Sequence, residues 1–143
     1  MKAVILAVGV GFAFAGLSAP AMAACAAPST RVNTLASLTT LLQGNTACVP
    51  PVTVPEMTWQ ELHVAGGNLI DYKRGPGDPV DPSKSVGSWA VIGADGRTFV
   101  TYTYPPSGGT YTYSVWDNGN GTHSFCSANP EIIARIKPGG GAC

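Results

Sequence analysis

Between residues 86 and 127 the chain repeats one pattern four times, and that pattern narrows the fold more than anything else in the sequence. Short runs rich in β-branched and aromatic residues, at 86–93, 97–104, 110–117 and 122–127, alternate with strong turn chemistry. The turns are Asp95-Gly96, the Pro105-Pro106-Ser107-Gly108-Gly109 run and Asn118-Gly119-Asn120-Gly121. Runs of this kind separated by such turns read as an antiparallel meander. Folding the first run over Asp95-Gly96 sets Trp89 beside Tyr102, Val91 beside Val100 and Ile92 beside Phe99. For the next pair, matching like with like predicts Tyr104 opposite Tyr111, Tyr102 opposite Tyr113 and Phe99 opposite Trp116, because similar cross-strand neighbours pack well. One face then carries Trp89, Val91, Val100, Tyr102, Tyr104, Tyr111, Tyr113 and Val115, with Cys126 on the same side. The other carries Ser88, Thr101, Thr103, Thr112 and Ser114, with Ile92, Phe99, Trp116 and Phe125 toward one end. The aromatic face is the expected core, since large rings bury the most area per residue; the competing reading is a surface for stacking ligands.

Upstream, Leu35, Leu38, Leu41 and Leu42 recur at helical spacing after a cap at Asn33 or Thr34, and Gly44-Asn45 ends the run. Cys48-Val49-Pro50-Pro51-Val52 is extended, because its prolines exclude a helix. Residues 53–72 read as a hairpin, 57–64 and 68–72, turning at Ala65-Gly66-Gly67; a capped helix from Glu56 to Ala65 is the alternative. Residues 75–84 form a proline-rich loop. After Asn129-Pro130-Glu131, the segment Ile132-Ile133-Ala134-Arg135-Ile136 is a short helix or a last strand. The expected fold is mainly β: an antiparallel meander, as a curled sheet or partly open barrel, with one short N-terminal helix.

The first 23 residues belong to a different regime. Lys2, an uncharged apolar stretch from Ala3 to Leu17 and the small residues of Ala21-Met22-Ala23 form the three-part pattern of a secretory signal. The apolar run is too short for a membrane anchor, and no later stretch could span after cleavage. The mature domain is then 24–143, exported to a bacterial periplasm or the extracellular space. Losing Lys2 leaves 7 basic residues against 8 acidic ones, a net charge near −1. That balance offers no electrostatic basis for binding nucleic acid. Four cysteines, Cys25, Cys48, Cys126 and Cys143, all follow the leader, and an even set in an exported chain reads as two disulfides. Three pairings exist; the shorter loops favour Cys25–Cys48 with Cys126–Cys143. Met22-Ala23-Ala24-Cys25 also loosely resembles a lipobox, which would lipidate Cys25 and strand one of the other three cysteines.

Chemistry-bearing constellations are sparse. In Trp59-Gln60-Glu61-Leu62-His63, a strand places Trp59, Glu61 and His63 on one face, and Asp71 is the one acid inside the following strand. This set is a candidate surface site, able in principle to move a proton or hold a metal. The sequence has no HExxH, and His63 and Glu61 fall short of the three or four ligands a metal site needs, so an exposed edge strand with mixed polar side chains is the expectation. Neither GxSxG nor CxxC occurs. Asp95 and Asp117 sit where turns want aspartate. Asp78 and Asp81 lack the oxygen-ligand spacing of a calcium loop. Asn120-Gly121-Thr122 is a glycosylation sequon inside a tight turn. No catalytic, cofactor or metal residue is assigned.

The segments Trp59–His63, Gly67-Asn68-Leu69-Ile70-Asp71-Tyr72-Lys73, Asp78-Pro79-Val80-Asp81-Pro82-Ser83-Lys84 and Val86-Gly87-Ser88-Trp89, followed by Tyr102-Thr103-Tyr104 and Phe125-Cys126, resemble a group of small exported bacterial proteins with no assigned activity. That likeness implies export and a compact β domain. Gly87-Ser88-Trp89 is also similar to the GxW of lipocalin-type barrels, though in mid-chain rather than on the first strand. The leading expectation is a non-enzymatic exported module that binds a protein, glycan or small molecule. The alternatives are a structural or accessory envelope protein, lipid-anchored at Cys25, and a small hydrolase built on Glu61, His63 and Asp71.

Overall fold

The computed structural model describes residues 25–51, 58–73, 77–78, 82–128 and 131–143. The leader expected at 1–23, the start of the alternative helix at Glu56 and Asp81 lie outside the described residues. The elements run β1 (Thr30–Arg31), α1 (Leu35–Leu42), β2 (Thr46–Val49), β3 (Trp59–His63), β4 (Asn68–Tyr72), β5 (Ser83–Ala94), β6 (Arg97–Tyr104), β7 (Gly109–Asp117), β8 (His123–Cys126) and β9 (Ile132–Lys137). Strands β2 to β9 pair antiparallel and close into an eight-stranded barrel with one short helix, as a mainly β meander requires. The loop expected at 75–84 is shorter at its far end, because Ser83 and Lys84 already pair with Tyr72 and Asp71.

Most of the barrel is built from sequence neighbours; its closure is not. β9 pairs with β8 on one edge and with β2 on the other, Ala47 lying opposite Ile136. That last pairing joins the two ends of the domain and removes the free sheet edges that would otherwise invite aggregation. Both disulfides sit at this seam. Cys25 bonds Cys126 on β8, and Cys48 on β2 bonds Cys143. The expected pairing by shortest loop is therefore wrong. Closure brings β2 and β8 to either side of β9, so each terminal segment meets the strand nearest it in space rather than in sequence. With its sulfur in this bond, Cys25 has none left to carry a lipid. Two disulfides suit an oxidising, extracytoplasmic setting. No helix among the described residues is long and apolar enough to cross a membrane.

The β5–β6 register is as the turn dictates, with Trp89 opposite Tyr102 and Val91 opposite Val100. The β6–β7 register differs from the expected one by two residues: Tyr102 faces Tyr111 and Val100 faces Tyr113. The tight loop is the reason. Gly108 N–H donates to Tyr104 O at 2.8 Å, so the ladder resumes at once with Tyr104 opposite Gly109. Gly109 has φ +84°, a conformation that favours glycine. A shift of two preserves the faces, and Trp89, Val100, Tyr102, Tyr113 and Val115 are buried in the core. β8 corrects a second expectation. Val115 pairs with Phe125 and Ser114 with Cys126, so Phe125 enters the core and Cys126 turns outward to its disulfide.

Helix α1 covers one end of the barrel. Leu38 and Leu42 are fully buried in the core, as the leucine spacing requires. Thr34 Oγ1 accepts from Ser37 N–H at 3.1 Å, and Asp95 Oδ1 accepts from Leu35 N–H at 2.8 Å. The Asp95-Gly96 turn thus also holds the helix start. Replacing Thr34 with alanine should cost about 1 kcal/mol, the usual value of an N-cap, read as a lowered midpoint in urea unfolding with unchanged slope.

Candidate functional site

The helix-covered end is where β3 finishes, β5 turns into β6 and β9 runs out. At the opposite end β3 begins and β6 finishes, and the chain connects Val49 to Trp59, Tyr72 to Ser83, Tyr104 to Gly109 and Cys126 to Ile132. Just inside this mouth lies a cavity of about 300 Å³ lined by Trp59, Glu61, Tyr104, Tyr111, Tyr113 and Ile132. Its size is at the lower bound for small-molecule sites. A depression of about 400 Å³ on the outside, along Pro28, Ser29, Pro51, Asn118, Asn120, Thr122 and Ile133, has no titratable group among the described residues of its lining.

The expectation for β3 as an exposed edge is overturned. β3 lies between β2 and β4, and barrel curvature turns its Trp59, Glu61 and His63 face inward. Glu61 is only 6% exposed and His63 1%. Two polar pairs cross the interior between β3 and β6. Deeper in, His63 Nε2 meets Tyr102 Oη at 2.8 Å, while Nδ1 lies 3.3 Å from Asn45 O. A carbonyl only accepts, so Nδ1 carries the proton and Nε2 accepts from the Tyr102 hydroxyl. Burial pushes the imidazole down to a pKa of about 4 and keeps it neutral. Trp89 packs edge-on against its ring at 5.0 Å and donates from Nε1 to Val64 O. His63 is thereby a fully engaged core residue, away from the mouth.

Nearer the mouth, Tyr104 O–H donates to Glu61 Oε2 at 2.9 Å. Burial pushes the Glu61 carboxyl up to about 7, with the Asp71 charge acting the same way and the Tyr104 hydrogen bond opposing both. Burial beside Glu61 also raises the Tyr104 phenol well above its ordinary range. Asp71 stands opposite Glu61 in register, and its Oδ1 accepts from the backbone N–H groups of Tyr72 and Gln60. Of the four expected site residues, then, Trp59 and Glu61 line the mouth, Asp71 supports it electrostatically and His63 belongs to the core. Tyr104, Tyr111 and Tyr113 complete the wall. The sequence placed them on the aromatic face but gave no reason to join that face to Glu61. Ile132 carried no signal at all.

The opposite, outer face is a hydroxyl surface: Thr103 and Thr110 share a hydrogen bond at 3.1 Å, and Thr112 donates to Thr101 at 3.2 Å. Asn120 Oδ1 accepts from the N–H and hydroxyl of Thr122 within its turn. No group of three or more His, Cys, Asp or Glu among the described residues is placed to hold a metal. No known protein family, curated protein or solved structure matches the chain.

Proposed function

We propose that this protein is an exported, non-enzymatic binding module that takes a small molecule into the mouth of its barrel. The observation that carries this reading is the shape of that end: a cavity walled by aromatic rings with one buried carboxyl, Glu61, at its inner side. Such a cavity gives large contact area from rigid rings and a carboxyl to orient the guest. The leader at 1–23 and the two disulfides support action outside the cytoplasm, in a periplasm or the surrounding medium.

The test is a set of ligand titrations on the exported protein. Tyr111 is 41% exposed at the rim, so removing its ring leaves the core intact. Tyr111→Ala should weaken binding about tenfold, roughly the loss of one aromatic contact. Thr112→Ala, on the outer face, should leave affinity unchanged. The reverse pattern would place the ligand outside the barrel and sink the proposal.

A further inference from the structure

Resting on that reading of the mouth, we infer that its ligand is an organic cation, a quaternary ammonium or protonated amine, held against the rings of Trp59, Tyr104, Tyr111 and Tyr113 with its charge toward Glu61. The wall supplies what such a cation needs. Aromatic faces attract it through their quadrupoles, most strongly where water is excluded. Tyr104 and Tyr111 sit as a tilted pair with centroids 6.1 Å apart, so their faces are not both stacked away against each other. The lining holds one acid and no lysine or arginine among the described residues.

The charges around Glu61 agree. On β4, Asp71 adds a second carboxylate opposite it. On β5, Lys84 stands opposite Asp71 in register and is exposed. β6 and β7 contribute the phenols of Tyr104 and Tyr113, and β2 and β9 present Ala47, Val49, Ile132 and Ile136. Arg135 lies opposite Cys48, on the outward side of the β2–β9 pair. A carboxylate accepts at about four lone-pair positions, and Tyr104 occupies one. A cation in the mouth stabilises ionised Glu61, so binding below pH 7 releases a proton and strengthens as pH rises.

The experiment compares choline with dimethylbutanol, in which carbon replaces the ammonium nitrogen, by NMR titration of the full exported chain at pH 8. Choline should shift the mouth residues saturably and bind at least about tenfold more tightly than the neutral isostere. The isosteric Glu61→Gln should cut that advantage severalfold while leaving the share the rings supply, and Tyr111→Ala should weaken choline without abolishing its advantage. Equal binding of the two compounds overturns the cation assignment and leaves the mouth a binding site. Absence of choline shifts at the mouth, while neutral molecules of similar size do bind there, overturns it equally. Failure of charged and neutral molecules alike removes the underlying reading.

Discussion

Removing the Cys48–Cys143 bridge by the double change Cys48→Ala and Cys143→Ala should lower unfolding free energy by about 4 kcal/mol. The bond closes a loop with a sequence separation of 95, and constraining so long a loop in the unfolded chain is worth roughly that much. It also pins the end of the chain where β9 completes the barrel. Cys143 N–H donates to Gln60 Oε1 at 2.6 Å, and Thr46 Oγ1 donates to Gly141 O at 2.7 Å, so the tail is laid along β2 and β3. Denaturant unfolding gives the loss directly. Thiol titration supplies the internal check: this variant should contain no free thiol, because Cys25 and Cys126 remain joined. Removing Cys25 and Cys48 together should instead leave Cys126 and Cys143 without their partners. Thiol counts with the opposite pattern would restore the short-loop pairing.

The second large effect is a cancellation that two single substitutions should expose. Glu61 is held near pKa 7 against an ordinary 4.5. Its contribution is complete below pH 4.5 and is lost as pH rises through 7, when the buried carboxyl must ionise. His63 is held near 4 against 6.5. Its contribution is complete above 6.5 and is lost as pH falls through 4, when the buried imidazole must charge. Each displacement from the ordinary value corresponds to about 3 kcal/mol. Between pH 4.5 and 6.5 the two slopes oppose, so these residues together leave stability nearly level there. Glu61→Gln should unmask the histidine limb, with stability rising by about 3 kcal/mol from pH 4 to 6.5. His63→Gln should unmask the carboxyl limb, with stability falling as pH rises from 4.5 to 7. His123, also lowered by burial, adds acid-side loss in every variant. Urea midpoints across this range measure all three curves; identical slopes in wild type and both variants would place neither group inside the barrel.

What could be read from the sequence was local. The Asp95-Gly96 turn fixed the β5–β6 register, the leucine spacing fixed α1, and Gly66-Gly67 marked the β3–β4 hairpin. Pairing across a longer turn was less determinate. Similarity of facing residues favoured Tyr104 with Tyr111, but the four-residue connection Pro105–Gly108 closes first and overrides it. Closure through Ala47 and Ile136 has no local signature, because it depends on how far the whole sheet curls. The disulfide pairing and the inward turn of β3 both follow from closure, and so both were misjudged. A Trp-x-Glu-x-His strand looks solvent-facing until Tyr104 and Tyr102, far along the chain, are seen to supply hydrogen bonds that let Glu61 and His63 be buried.

The barrel mouth above Glu61 is the proposed ligand site. It is tested by residue-resolved NMR of the oxidised protein against a panel of small charged and neutral molecules. Saturable shifts should gather at Trp59, Glu61, Tyr104 and Tyr113, with the threonines at 101, 103 and 112 silent. Shifts confined to those threonines, or none across the panel, would contradict it.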